Sequence, residues 1–474
     1  MRKNIGIVIC NYNKEDYIIN CIKSILASTI NDFDIYVVDN ASTDNSVKLI
    51  QETYGEQVTL IVNQENLGGS GGFNTGLREA LKHNYEYLMC VDNDVVFDSA
   101  AIEELRKFLE VHQEAGMVGS KVYFMDYPDR IWSYGGEISF DKYVQIDHYR
   151  NCIDTADISE MEYADYVPAC SLMARTTAIR EIGIMPEDNF IYLDDMEWGY
   201  RFNRAGYKVA VCGASKVWHK GGGRNAGNTF IHYYMWRNRI NFFMKVLPSE
   251  KEMQENHVKK GIPESVYSEA IEVNCRERFV EKILTEMFRM IYSVNLKGET
   301  NIVKTLMYAF DDAVHGVRGR AAEGKILTRF PVENRLELAL RDCTSVLIRF
   351  NGDFEGLGNI IRNIKKLHAD MRIGISAEAN LLRQHETTQD LLKQVKEQYQ
   401  TAEVSEEYRP QLYDKHLIMC EHIFSLSSDA TEDTYIDSWC NIIYTPEDFM
   451  YCRSFEQTKE LFLLCKKDIL LKSK

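Results

Sequence analysis

Tyr87-Leu88-Met89-Cys90-Val91-Asp92-Asn93-Asp94 is the stretch on which the fold turns. Its first five residues are apolar or aromatic without alternation, the pattern of a strand buried on both faces. The run then stops at two carboxylates. Upstream, Ile5–Cys10, Ile35–Val38 and Val58–Val62 are short runs of the same kind, and Met117–Phe124 follows downstream. Amphipathic stretches separate them; in one, Ile18, Cys21, Ile22, Ile25 and Leu26 recur at helical spacing. Strand and helix in alternation predict an α/β fold with a mostly parallel sheet covered on both faces. Ligands of such sheets bind at the carboxyl ends of the strands, where Asp92 and Asp94 fall.

The chain has 474 residues, 45% hydrophobic and 27% charged, with 8 prolines, a globular composition with room for about three folding units. Its formal net charge of −16 excludes a sequence-blind nucleic-acid binder, which needs surplus Lys and Arg to neutralise phosphates. A nucleotide ligand then requires a metal ion or a local cationic cluster. Twelve scattered cysteines without C-x-x-C spacing read as reduced thiols. The apolar run at residues 5–10 is too short for a secretory signal and no run approaches membrane-spanning length, so the expectation is a cytoplasmic protein.

Beyond the first five strands the pattern predicts a hairpin around Gly135-Gly136, further strands and a helix beginning near Asp194. An aromatic helix spans Phe230 to Leu247, ended by Pro248. Residues 248–340 read as mainly helical. Residues 341–474 read as a second small α/β domain, with strands at Val346–Phe350, Ile373–Ala377, Leu417–Cys420 and Ile442–Tyr444. The expected domains are thus 1–247, 248–340 and 341–474.

Five constellations carry chemistry. Asp92 and Asp94, at i and i+2, leave an extended chain on one side and can converge on a hard divalent cation; Asp and Asn also favour plain turns. Asp39-Asn40-Ala41-Ser42-Thr43-Asp44 ends the second strand: Ser42 or Thr43 caps the next helix, while Asp39 faces the ligand edge and can accept from a nucleobase N–H. Asn66-Leu67-Gly68-Gly69-Ser70-Gly71-Gly72-Phe73-Asn74 is a glycine turn, serving either phosphate approach or tight packing. It misses the dinucleotide fingerprint and the P-loop. Asp194-Asp195-Met196-Glu197 opens a helix, favoured there by the macrodipole, behind the apolar Phe190-Ile191-Tyr192-Leu193; carboxylates so placed gain proton affinity and can act as a general base. Finally, His219 ends a strand ahead of Lys220 and Arg224, flanking a triple glycine that reads as a mobile loop closing on an anion. Arg237, Asn241 and Lys245 then fall on one helical face, either reaching phosphates or forming the wet side of the helix.

In order along the chain, these motifs resemble family-2 glycosyltransferases of the GT-A fold. The opening Val8-Ile9-Cys10-Asn11-Tyr12-Asn13, the Val38-to-Asp44 stretch, the glycine turn, the Asp92-Asn93-Asp94 triplet, the paired acids and the terminal His all take part. The glycine turn and the pair Trp218-His219 resemble the bacterial rhamnosyltransferase and galactofuranosyltransferase branch. The resemblance implies an inverting hexosyltransferase with UDP- or dTDP-linked sugar as donor and a glycan or lipid-linked hydroxyl as acceptor, in cell-surface polysaccharide synthesis. It implies that Tyr12 lies against the nucleobase and Asp39 binds its edge, with Cys10, Asn13, Asn66, Gly68, Asn74 and Asp92 also on the nucleotide-binding surface. It implies that Asp92, Asp94 and His219 hold Mn²⁺ or Mg²⁺, that Asp195 is the base with Asp194 orienting the acceptor, and that Lys220, Arg224 and Arg237 meet the diphosphate. It covers about the first 245 residues.

Two other functions stay open. A sugar-1-phosphate nucleotidyltransferase shares the sheet and metal but needs a glycine-rich basic loop where Cys10-Asn11-Tyr12-Asn13-Lys14 stands. A non-catalytic scaffold needs none of the acids. Glycines 352, 356 and 358 ahead of a helix mark either a second nucleotide site or ordinary packing. The tail from Leu461 to Lys472 mixes apolar residues with Lys, fitting peripheral membrane contact or, more simply, a docked terminal helix.

Overall fold

The computed structural model describes residues 3–221, 227–252, 275–330, 332–376, 396, 402–405, 409–426 and 434–472. The chain divides into two compact units: residues 1–283 with 305–327 and 471–474, and residues 284–304 with 328–470. The helical region expected at 248–340 is therefore shared between them.

The first unit starts β1(Ile5–Asn11), α1(Glu15–Leu26), β2(Phe33–Asp39), α2(Ser46–Tyr54), β3(Thr59–Val62), α3(Gly68–Ala80), β4(Tyr87–Asp92). Next come β5(Val95–Phe97), α4(Ala101–Val111), β6(Ala115–Phe124), β7(Ile131–Ser133), β8(Gly136–Ser139), β9(Val144–Asp147), β10(Met161–Ala164) and β11(Ser171–Arg175). It continues with α5(Thr176–Ile182), α6(Asp194–Arg204), β12(Lys208–His219) and α7(Phe230–Val246). The main sheet runs β10-β12-β6-β11-β4-β1-β2-β3. β1 is parallel to β2 and β4, and β2 to β3, so three chain ends emerge on one edge: Asn11, Asp39 and Asp92. The parallel run ends at β11, which lies antiparallel between β4 and β6. One face is covered by α1 and α4, with Ile18, Cys21, Ile22, Ile25 and Leu105 in the core; the other by α3, through Phe73 and Leu77. The hairpin differs from expectation. Its strands are β8 and β9 and its turn lies at residues 140–143, while Gly135, at φ +69°, makes the bend into β8.

Two long helices, α8(Arg276–Leu296) and α9(Thr300–Val314), follow. Residues 305–327 belong to the first unit, where Thr229 Oγ1 accepts from Thr305 Oγ1 at 2.7 Å and from Leu327 N at 2.9 Å.

In the second unit, α10(Arg335–Leu340) precedes β13(Ser345–Arg349), α11(Phe354–Leu367), β14(Arg372–Ser376), β15(Glu403–Ser405), β16(Lys415–Cys420), β17(Thr434–Asp437) and β18(Ile442–Ile443). The sheet order is β15-β14-β13-β16-β17-β18, parallel except for β18. α11 begins ahead of Gly356 and Gly358. The Asp353 carboxylate caps it by accepting from Gly356 N at 2.9 Å, and a Cβ on Gly356 would stand 2.6 Å from Ser438 Cβ. The close contact explains Gly356 as packing, and an acidic cap at this helix start gives a second nucleotide site no support. Helices α12(Pro446–Arg453) and α13(Phe455–Leu471) end the unit; Leu461 and Leu464 of the tail are exposed. Among the described residues no helix is long and apolar enough to cross a membrane.

Candidate active site

β4 delivers Asp92 to the carboxyl edge, and a tight turn through Asn93 and Asp94 leads into β5. β5 pairs antiparallel with the end of β12, with Val95 opposite His219, which sets the imidazole beside the turn despite its distance along the chain. His219 Nε2 lies 3.0 Å from Asp94 Oδ1 and 3.7 Å from Asp92 Oδ2. The three ligating atoms fall within 4.8 Å of one another. A residue that motif reading missed, Lys14, places Nζ 2.5 Å from Asp94 Oδ2. Burial disfavours the Asp94 anion, but the hydrogen bonds and charges of His219 and Lys14 hold its carboxyl well below the usual carboxylate range. Asp92 lacks that support: burial, with repulsion by Asp94 and Asp195, pushes it up to about 6 against the pull of His219 and Lys14. His219 Nδ1 is buried without a partner among the described residues, and Trp132 packs edge-on against the ring. Two carboxylates and one imidazole nitrogen converging from rigid strand ends fit a divalent cation of the Mg²⁺ or Mn²⁺ kind.

Next to this cluster, Asn11 ties the edge together. Its Nδ2 donates to Asp39 Oδ1 at 2.8 Å, and its Oδ1 accepts from Asn93 Nδ2 at 2.9 Å. Asp39 Oδ2 accepts from Ser42 N at 2.8 Å, so Asp39 is fully buried with one bond on each oxygen. Asn13, at φ +50°, accepts from Thr43 N at 2.7 Å and joins the two loops. Tyr12 is 43% exposed at this edge. The Cys10 thiol is pushed far up by burial and by Asp92, Asp39 and Asp194, and stays neutral.

The glycine turn is the first part of α3 itself. Asn66 Oδ1 accepts from Gly68 N at 2.8 Å and from Asn40 Nδ2 at 3.0 Å, while Asn40 Oδ1 accepts from Leu67 N at 3.0 Å. Gly68 has φ +80°, and a Cβ there would lie 2.0 Å from the Phe190 carbonyl oxygen. A Cβ on Gly72 would lie 2.3 Å from Cys10 Sγ. Close packing therefore requires both glycines. Gly69 leaves backbone beside Asp194, whose Oδ2 would be 3.8 Å from an added Cβ. Asn74 needs correcting. It is fully buried, donating to Met185 O at 2.7 Å and Glu187 Oε1 at 2.9 Å and accepting from Met185 N at 3.1 Å, so it anchors α3 and offers nothing to a nucleotide.

The paired acids open α6 after an unusual turn: Phe190, Tyr192 and Leu193 all have positive φ, 66°, 64° and 62°. Phe190 and Leu193 are buried, Phe190 stacking on Tyr234, which is the apolar wall expected here. Asp195 Oδ1 accepts from Met196 N at 2.8 Å and Oδ2 from Ala169 N at 3.3 Å. Burial raises the proton affinity of both acids, opposed at Asp195 by these N–H bonds and reinforced at Asp194 by the Asp195 charge. Asp92 feels Asp195, and Asp194 feels Asp92, so base candidates and metal cluster share one electrostatic neighbourhood.

The cations differ from expectation. Lys220 hydrogen-bonds Asp126 at 2.7 and 2.8 Å, its own backbone N–H reaching Asp94 O at 3.1 Å. Arg224 lies outside the described residues. Arg237 is fully buried: its guanidinium donates to Gly319 O at 2.7 Å, Asn189 O at 3.1 Å and Asn238 Oδ1 at 3.0 Å, and stacks on Tyr233 and Tyr234. It cannot meet a diphosphate. On the same helical face Asn241 is buried, while Lys245 is half exposed and pairs with Glu197 at 2.8 Å.

Residues 6–176 match the family model described as glycosyl transferase family 2. The chain is similar to an uncharacterized glycosyltransferase of Haemophilus influenzae, 22% identical over 325 residues, covering 65% of this chain and 92% of that one. It is 35% identical over 118 residues to an uncharacterized glycosyltransferase of Nostoc, covering 24% of this chain and 34% of that one, about a third of its length. Among solved structures, it is similar to residues 1–349 of Staphylococcus aureus TarS in complex with UDP-GlcNAc, with 15% identity and a TM-score of 0.40, covering 67% of this chain and 82% of that one.

Proposed function

We propose, on the premise that the chain carries a domain of glycosyl transferase family 2, that it transfers a sugar from a nucleoside-diphosphate donor to an acceptor hydroxyl with inversion. The observation that carries this reading is the cluster of Asp92, Asp94 and His219 beside the paired acids, with Asp195 accepting from Ala169 N and Asp92 N donating to the next residue's carbonyl, Cys170 O. Asp39, fully buried with a bond on each oxygen, holds Asn11 and the Ser42 loop in place beneath the nucleobase, and exposed Tyr12 lies against the ring. When held by Asp92, Asp94 and His219, a divalent cation supplies charge neutralisation for the departing diphosphate. Asp195, its oxygens fixed by Met196 and Ala169 N–H, takes the acceptor proton as the acceptor oxygen attacks the anomeric carbon and the bond to the diphosphate breaks. Asp194, raised by burial and by its neighbour's charge, holds a proton more readily and orients the acceptor by hydrogen bonding. One carboxylate base suffices, because no covalent glycosyl-enzyme forms.

The donor is UDP- or dTDP-linked, of galactofuranose or rhamnose type, a reading supported by the glycine turn and by Trp218-His219. The acceptor is a glycan or a lipid-linked glycan. Transfer and donor hydrolysis measured over a panel of UDP-, dTDP- and GDP-sugars with Mn²⁺ test this. Turnover with one donor is expected; a folded protein inert to every donor refutes it.

A further inference from the structure

Three of the four residues just before Asp194 adopt left-handed backbone angles, and none is glycine. Such conformations are unfavourable for Phe, Tyr and Leu side chains and persist only where surrounding structure enforces them. The enforcement comes from α7. Asn238 Nδ2 lies 3.0 Å from Asn189 O, 2.8 Å from Ile191 O and 3.0 Å from Tyr192 O, so one side-chain amide gathers three carbonyls of the turn. The Arg237 guanidinium adds a second bond to Asn189 O and reaches Gly319 O. Gly319 N in turn donates to Asp188 O at 2.6 Å, and Ala321 N donates to the hydroxyl of Tyr234, the ring on which Phe190 stacks. Asn189 Nδ2, from the same turn, faces Glu197 Oε2 at 3.4 Å. All these groups lie in the first unit, but Gly319 and Ala321 fall far beyond residues 6–176.

We propose that Asn238 and Arg237, backed by residues 319–321, are positioning residues: they hold the strained turn at 190–193 and thereby fix where Asp194 and Asp195 point. The inference rests on the proposed role of Asp195 and assigns a task to a segment outside the family-2 region. It also explains why Arg237 is buried: it binds backbone carbonyls and leaves phosphate to other groups. In that reading the donor is held by Tyr12 and the metal cluster, to which Asn238 and Arg237 make no bond, so the brace acts on the chemical step.

The test uses the full chain with Mn²⁺ and a turned-over donor. Asn238→Ala removes the bonds to Ile191 O and Tyr192 O, leaves Asn189 O to Arg237, and lets the turn relax. Since misplacing a reacting group by about 1 Å costs roughly 100-fold, kcat is expected to fall at least tenfold while donor-nucleotide affinity, measured by calorimetry, stays within about threefold. Tyr192→Gly, placed in the Asn238→Ala background, removes one strained side chain and is expected to return several-fold of the lost rate, because glycine adopts φ near +64° freely. Unchanged kcat in Asn238→Ala, in a protein that Asp195→Asn inactivates, overturns the brace and leaves the base in place. Parallel loss of nucleotide affinity and kcat, with no recovery on adding Tyr192→Gly, reduces Asn238 to a general structural role and equally overturns it. If Asp195→Asn retains activity, the reading beneath the brace fails instead.

Discussion

Replacing Asp195 with Asn should make the protein inactive and, at neutral pH, relatively more stable. The shape is unchanged: one amide oxygen still accepts from Met196 N at 2.8 Å, and the weaker 3.3 Å bond from Ala169 N faces the new NH₂ and is lost. Losing one such bond removes about 0.5–1.5 kcal/mol. Against this stands the relief of a buried charge. Asp195 has its proton affinity raised by burial and by Asp147, so its folded pKa exceeds the unfolded one. An acid shifted upward binds more protons folded than unfolded, so wild-type stability falls as pH climbs from the unfolded value through the folded one, and the full penalty applies above both. Asn carries no such penalty. Each unit of upward shift is worth about 1.4 kcal/mol, so between pH 4 and pH 8 the stability difference should move toward the variant by roughly 3–6 °C in Tm per unit. Removing the charge also eases ionisation of Asp194, with the same sign. Transfer should fall about 10²–10⁴-fold, the span of a general base. The assay pairs initial rates of sugar transfer with thermal melts at pH 4 and pH 8. Near-wild-type transfer removes Asp195 from the chemistry. A pH-independent loss of Tm shows that its carboxylate is structural, contradicting the desolvated-base argument.

Three further outcomes follow from the same geometry. Lys14→Met removes the ammonium from Asp94, so Mn²⁺ no longer has to displace a charged hydrogen bond worth about 1.5–3 kcal/mol; Mn²⁺ binding without nucleotide, followed by electron paramagnetic resonance, should tighten about tenfold or more, and weaker binding contradicts it. Gly68→Ala places a Cβ 2.0 Å from the Phe190 carbonyl in left-handed backbone; the conformation alone is worth about 1–2 kcal/mol, so Tm and kcat should drop together, and a wild-type melt would count against the packing described. His219→Ala should abolish the Mn²⁺ signal of the apo protein at wild-type-saturating metal, and retention of that signal removes His219 from the ligand set.

Much of the first unit is legible in the sequence because its strands are short, buried and end in polar residues. β1 and β4 match the apolar runs to within a residue, and the polar residue closing each run marks the carboxyl edge. His219 is legible as a strand end, but its partner is set by β5 pairing with β12, which no local pattern encodes. Lys14 hides inside an ordinary helix entry. Asn74 and Arg237 mislead because a polar side chain capping buried carbonyls has the same local signature as one reaching a ligand. The turn at 190–193 is illegible for the opposite reason: bulky residues argue against left-handed backbone, and the side chains that bond it, Asn238 and Arg237, lie more than 40 positions away. The docking of residues 305–327 is likewise long-range, and the amphipathic pattern of α9 tells that it packs without telling where.

The central claim is that Asp92, Asp94 and His219 bind a divalent cation through which a nucleoside diphosphate is held. Calorimetric titration of UDP, dTDP and GDP into the protein, with Mn²⁺ and then with EDTA, tests it most directly. The account predicts that one nucleotide binds with Mn²⁺ and that this binding is lost in EDTA and in Asp94→Ala. Equal affinity in all three conditions contradicts it.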